Sequence, residues 1–305
     1  MGELLQSFPA MTIFLYHDIL TSKTLDTFDQ IDGGRTTAAE FRRQAKYLRQ
    51  HWKIIPIETM VAALKAGIQI PQACAITFDD GFSGVLTGAL PIIREFAIPA
   101  TLYVTSGLIE GPTPHFNATE IAFRLTRVSS VDLSDCGVGI QPCRTTGERA
   151  AAMRKAKVAL RLLPRALERE LREKLHKQLG VSTQDIERYA ATNHRFRYLT
   201  WKEVKKLAQA GFTIGSHTRS HRSLPHLKSR KAAHEEIKKG QQDIIERLGI
   251  VPLHFAYPYG HVTQEVRDLV EKAGFSSAVT TDPGENVPGV DPFLLRRINF
   301  RNFSR

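Results

Sequence analysis

Cysteine is scarce: Cys74, Cys136 and Cys143 are the only three in 305 residues. Three thiols cannot build a disulfide framework, and the spacing of Cys136 and Cys143 fits no common metal knuckle. They read as buried or incidental thiols of a reducing compartment. No apolar run reaches the ~18 residues of a membrane span. The start, Met1-Gly2-Glu3-Leu4-Leu5, lacks the basic region and long apolar core of a secretory signal. The expected location is therefore cytoplasmic, or peripheral to a membrane. Internal repeats and low-complexity tracts are also missing, which excludes solenoids and arrays. Acidic residues are outnumbered, 31 Asp and Glu against 42 Lys and Arg, for a net charge of +11. The hydrophobic share of 42% and charged share of 24% are globular values, so wholesale disorder is excluded.

The basic excess is local. Between Arg144 and Gly180 stand eleven Lys or Arg against four Asp or Glu. The segment reads as a long basic helix or helical pair over Arg149–Leu179, interrupted at Pro164. A solvated helix face explains such a charge run most simply. Docking on an acidic polymer or an anionic membrane surface is the functional alternative. No aromatic-interleaved platform or DNA motif accompanies it, so nucleic acid is not expected as a partner.

Elsewhere short β-rich runs alternate with helical stretches. Strands are expected at Thr12–Tyr16, Lys53–Ile57, Ala73–Phe78, Ala100–Thr105, Thr213–Ser216, His254–Tyr257, Ser277–Thr281 and Leu294–Phe300. Thr37-Ala38-Ala39-Glu40 and Thr200-Trp201-Lys202-Glu203 are capping-box patterns that open helices. Ser229–Leu248 and Thr263–Ala273 read as amphipathic helices stopped by Gly249 and Gly274. Strand-helix alternation implies a parallel sheet. About seven or eight strands suggest a deformed (β/α) barrel rather than an open sheet. One domain over residues 1–305 is expected, with an α-helical insertion over 109–198 where no convincing strand is legible.

Three clusters carry chemistry, each at the C-terminal end of an expected strand, where barrel active sites sit. The first is Ile76-Thr77-Phe78-Asp79-Asp80-Gly81-Phe82. Adjacent strand residues face opposite ways, but at a strand end the chain turns. One carboxylate can then hold a metal while the other takes a proton. The second is His217-Thr218-Arg219-Ser220-His221. Over one helical turn, i and i+4 share a face, so both imidazoles can reach one ion. The third is Tyr257-Pro258-Tyr259-Gly260, whose rigid turn can present a backbone N–H as an oxyanion donor. Singly, each cluster is more simply a turn or a coincidence. Together, two imidazoles and a carboxylate make a metal site with open positions, suited to assisted hydrolysis of an acyl group.

These residues resemble the first three motifs of the polysaccharide deacetylases, the NodB-homology enzymes of carbohydrate esterase family 4. The resemblance covers roughly Thr12–Val104 and Leu199–Phe300. It implies a NodB-like deformed (β/α) barrel that removes N-acetyl groups from an amino-sugar polysaccharide or oligosaccharide, free or lipid-linked. By that resemblance Asp79 is the general base, and Asp80, His217 and His221 hold a divalent metal, Zn²⁺ by default with Co²⁺ or Ni²⁺ as alternatives. The Tyr259 N–H stabilises the tetrahedral oxyanion. Phe82, Tyr257, Pro258 and Tyr259 are the candidate substrate contacts. The chain departs from the pattern in three places. An Arg that orients the base in many relatives is replaced by Ala256, and Arg296 or Arg297 is expected to supply the cation. No His follows His261, so the general acid is sought in His17 of Tyr16-His17-Asp18. A late Trp motif is unrecognisable. The alternative reading is a catalytically impaired glycan-binding pseudoenzyme of the same fold.

Overall fold

The computed structural model describes residues 11–300. The Met1–Leu5 stretch, read as carrying no secretory signal, and both ends of the expected 1–305 domain lie outside them. The strands in chain order are β1 (Thr12–Tyr16), β2 (Asp18–Leu20), β3 (Arg35–Thr37), β4 (Lys53–Ile54), β5 (Ala73–Phe78) and β6 (Ala100–Val104). They continue with β7 (Ser130–Asp132), β8 (Ile140–Pro142), β9 (Phe212–Ser216), β10 (His254–Ala256), β11 (Ser277–Val279) and β12 (Ile298–Asn299). The helices are α1 (Thr27–Asp32), α2 (Ala38–His51), α3 (Ile57–Lys65), α4 (Leu90–Phe96), α5 (His115–Leu125) and α6 (Thr146–Leu160). After them come α7 (Arg165–Gln178), α8 (Thr183–Thr192), α9 (Trp201–Gln209), α10 (Arg230–Leu248) and α11 (Gln264–Lys272).

Eight strands form one parallel sheet, in the order β11-β10-β9-β6-β5-β1-β12 with β4 beside the start of β5. The sheet curls into a deformed (β/α) barrel. Leu295 bridges to Val279 of β11, and Ile298 pairs with Phe14 of β1, so the last segment spans the gap between the edges. Register puts Ile13 beside Ala75 and Phe14 beside Ile76. With period-two alternation, Ile13, Ala75, Tyr103, Ala256 and Leu295 form one buried cluster. Phe14, Ile76, Phe78 and Leu102 form another, packed with Phe41 of α2 and Val204 of α9. Each Ile, Leu or Phe among them contributes roughly 1.5–3 kcal/mol by leaving water.

The helix caps act where the sequence placed them. Thr200 and Glu203 bond each other's backbone N–H at 3.2 and 2.9 Å. Thr37 accepts from the Glu40 N–H at 3.2 Å, but the Glu40 carboxylate turns to Gln44 instead of closing the box. Five expected strands are shorter than read, those at Ala100, His254 and Ser277 by one or two residues and those at Lys53 and Leu294 by more. Pro56 caps α3, so Ile57 is helical rather than the end of a strand. Only Ile298 and Asn299 of Leu294–Phe300 are strand.

Between β6 and β9 lie α5–α8 with a core of their own, including Ile121, Phe123, Met153, Leu160, Leu175 and Phe196. This stretch is not wholly helical, since β7 and β8 pair antiparallel within it. Three-residue strands with Val131 as their single buried residue are too short for periodicity to reveal. The segment docks on α1 and β3 through buried ion pairs. Arg35 meets Glu120 at 2.9 Å and Asp29 at 3.2 Å, and Arg124 meets Asp26 at 2.6 Å. Both Arg35 and Glu120 are buried.

Candidate active site

The C-terminal ends of β5, β9 and β10 bring the three motifs to one cavity of about 370 Å³. The backbone is bent hard to do so. Seven non-glycine residues have positive φ among the described residues, and four of them, Asp80, Thr218, His221 and Tyr259, belong to these motifs. Such conformations cost of order 1–3 kcal/mol each and persist where the surroundings impose them. Thr218 is β-branched, which makes its φ of 65° a true outlier. Its hydroxyl accepts the His221 N–H at 3.2 Å, fixing the loop. The expected helical turn over His217–His221 is absent. Thr218 and His221 are both left-handed, and the two imidazoles converge through a loop.

Asp80, His217 and His221 are buried and offer one ligand atom each within 4.8 Å of one another. Asp80 Oδ1 lies 3.2 Å from His221 Nε2 and 3.6 Å from His217 Nε2. Tetrahedral ligands bound at ~2.0–2.1 Å stand ~3.3 Å apart, so these separations suit one small divalent ion. Asp80 Oδ1 has no hydrogen-bond partner although it is buried. His217 Nδ1 donates to the Ala256 carbonyl at 2.7 Å, which leaves the Nε2 lone pair toward Asp80. Burial pushes His217 down to about 4 and His221 down to about 3, keeping both neutral and able to ligate.

Asp79 faces the same cavity in a different state. Arg297 grips it with two bonds, Nη1 to Oδ1 at 2.8 Å and Nη2 to Oδ2 at 2.7 Å. Burial alone would raise this carboxyl, but the Arg297 charge overrides it and holds the group at about 2. Arg297 is 1% exposed and is itself fixed by the Thr280 carbonyl at 2.8 Å. Arg296, the other expected cation, bonds Asn286 through its backbone instead.

His17 follows β1, is half-buried and lines the cavity, with no hydrogen-bond partner for its Nδ1. Tyr259 sits on the third motif's turn at φ 60°, its ring 4.7 Å from that of His221. Gly260 makes this placement available. A Cβ there would stand 2.1 Å from Thr281 Oγ1, the hydroxyl that bonds the Tyr259 carbonyl at 3.0 Å. Phe82 lines the cavity and stacks on Tyr198 at 4.6 Å. Tyr257 and Pro258 do not line it. Tyr257 is fully buried among Phe255, Leu269 and Val270, because alternation along the β10 end turns its ring into the core.

The sequence reading did not place Arg154, Lys157 and Arg161 of the basic segment here, yet all three line the cavity. Their spacing was the available signal, a stripe along one face of α6.

A profile of the polysaccharide deacetylase family matches residues 172–278, which take in the second and third motifs. The Bacillus subtilis (strain 168) protein YxkH, a candidate polysaccharide deacetylase, is 29% identical over 103 residues. That match takes in 33% of this chain and 36% of YxkH, so the chain aligns with about a third of that relative's length. The Streptococcus pyogenes deacetylase PplD, solved in complex with acetate, superposes with a TM-score of 0.61 at 16% identity, covering 95% of this chain and 92% of that one. IcaB from Ammonifex degensii gives a TM-score of 0.61 at 19% identity, covering 95% and 91%. These two share the barrel. The motif residues thus gather at the mouth of a barrel shared with these two structures, and residues 172–278, across two of the three motifs, are similar to the polysaccharide deacetylase family.

Proposed function

We propose that the protein is a metal-dependent hydrolase that removes N-acetyl groups from an amino-sugar glycan. The observation that carries this reading is the pairing of a convergent Asp80–His217–His221 set with an ionised Asp79 in one cavity. A divalent ion held by those three side chains would polarise the acetyl carbonyl and bring the pKa of a water towards 7. Zinc fits the two imidazoles and one carboxylate by default, and Co²⁺ or Ni²⁺ fit the same donors.

The chain's own residues divide the remaining work. Asp79 accepts the proton of the attacking water, and Arg297 keeps its carboxylate charged and aimed. The Tyr259 N–H, held by its left-handed turn, donates to the oxyanion. His17 protonates the leaving amine. Phe82 and Tyr259 contact the sugar. Segment 109–198 is an insertion that walls one side of the pocket. Exposed Val158, Leu162 and Leu167 around its α6–α7 turn offer apolar surface suited to a lipid-linked form of the substrate. The conserved-fold pseudoenzyme reading is disfavoured by the intact donor set and by the Arg297 clamp.

The test is acetate release from N-acetylglucosamine oligomers by the full chain with Zn²⁺, Co²⁺ or Ni²⁺ added. Metal-dependent release that disappears in Asp79→Asn is the expected result. Inertness towards every acetylated glycan class at every ion contradicts the proposal.

A further inference from the structure

Helix α6 turns one stripe towards the cavity. Arg154, Lys157, Val158 and Arg161 stand at i, i+3, i+4 and i+7, and all four line it. The cations around the pocket are not equivalent. Lys157 is matched by Asp32, with contacts at 2.8 and 2.9 Å. Arg35 is held by Asp29 and Glu120. Among the cavity's carboxylates, Glu168 is taken by Arg172 at 3.0 Å and Arg222 at 3.1 Å, and Asp79 by Arg297. Two guanidiniums are left over. Arg154 donates to the Ile31 carbonyl at 3.2 Å and meets no carboxylate among the described residues. Arg161 also meets none, and its Nε is buried with no hydrogen-bond partner.

Arg161 is placed close to the chemistry. Its guanidinium lies 5.4 Å from the centre of the Tyr259 ring, and that ring lies 4.7 Å from the ring of His221. A positive fork therefore stands one aromatic ring away from a metal-ligand candidate. Arg161 is also the C-cap of α6, where a cation gains a few tenths of a kcal/mol from the helix dipole. That gain needs no burial of Nε. Leaving a buried N–H unmatched is unfavourable, whereas a phosphate or carboxylate accepts two parallel N–H bonds from such a fork.

We propose that Arg161, backed by Arg154, forms an anion subsite, and that the substrate carries a phosphate or carboxylate on or beside the N-acetylated sugar. This rests on the deacetylase reading above for the acetyl group but makes a separate claim about charge. Four probes test it: N-acetylglucosamine and its 1-phosphate, and N,N′-diacetylchitobiose and a glucuronate–N-acetylglucosamine disaccharide. For each, kcat/KM for acetate release and affinity by calorimetry are measured with the metal-supplemented full chain. The expected result is a preference for a charged probe over its neutral counterpart of about tenfold or more, the worth of one added charge-assisted contact. The phosphate arm and the carboxylate arm identify which anion is meant. Arg161→Ala and Arg161→Gln are expected to collapse that ratio to within about twofold, with Arg161→Lys intermediate because it keeps the charge and loses the fork. Equal use of charged and neutral probes by the wild type, or a ratio unmoved in Arg161→Ala, overturns the subsite and leaves the deacetylase reading standing. No acetate from any of these four probes leaves the deacetylase reading to the wider glycan screen above. The subsite is then decided by calorimetry, where Arg161-dependent preference for charged sugars supports it and its absence overturns it.

Discussion

The clamp between Arg297 and Asp79 gives a prediction that can be worked through from the distances. Arg297→Met keeps most of the side-chain volume and removes both bonds, at 2.8 and 2.7 Å, from a carboxylate that is 2% exposed. Asp79 is held at about 2, against an ordinary aspartate near 3.8. A carboxyl whose folded pKa is depressed stabilises the fold above the unfolded value, and this contribution is lost as pH falls from about 4 through about 2. That displacement is worth on the order of 2–3 kcal/mol. Stranding the carboxylate in the core adds to the loss, so the total falls at about 3–5 kcal/mol at pH 7. Urea unfolding in the absence of divalent ions, on wild type, Arg297→Met, Asp79→Asn and the double variant, isolates the pair. The double variant should be much less destabilised than the sum of the singles, with a coupling of at least about 2 kcal/mol at pH 7. The coupling should shrink as pH is lowered from 4 towards 2. A coupling below about 0.5 kcal/mol at pH 7, within the error of additivity, refutes the claim that Arg297 sets the state of Asp79.

Asp18 behaves oppositely. Burial raises it to about 7 despite Arg35 at 3.9 Å, so its protonated form favours the fold and stability is lost as pH rises from about 4 through 7. Asp18→Asn should therefore flatten that pH dependence and unfold later than wild type at pH 8, as read by thermal melts. Gly84→Ala would place a methyl 2.0 Å from Asp18 Oδ1 and 2.6 Å from the Ile19 carbonyl, and should cost about 1–3 kcal/mol or more in a denaturant titration. His17→Ala should lower kcat by about 10²–10⁴-fold and remove the alkaline limb of the pH–rate profile, the side on which a general acid acts. An unchanged limb with near-wild-type kcat removes His17 from the mechanism.

The fold was legible where local chemistry and burial agree. β1 and β5 match their expected spans residue for residue, because each is a short run buried along its whole length and closed by a polar residue, His17 or Asp79. α10 was equally plain, with Ser229 at its start and a left-handed Gly249 at its end. Features set by backbone strain were not legible. His217 and His221 were expected to share a helix face, but left-handed Thr218 and His221 bring them together through a loop, and side-chain spacing does not encode such a φ. Tyr257 looked like a substrate contact by proximity to Tyr259, yet one step along a strand end separates the core from the cavity. The cations of α6 were visible in composition, but their direction depends on how the segment docks. That docking rests on Arg35 with Glu120 and Arg124 with Asp26, pairs that are distant in sequence.

The central claim is that Asp80, His217 and His221 meet at one divalent ion. Isothermal calorimetry with Zn²⁺ on metal-stripped protein tests it most directly. One equivalent should bind tightly to the wild type, while Asp80→Ala, His217→Ala and His221→Ala should each lose at least about 10–100-fold in affinity. Zinc binding that is absent in the wild type, or that survives unchanged in all three variants, contradicts the account.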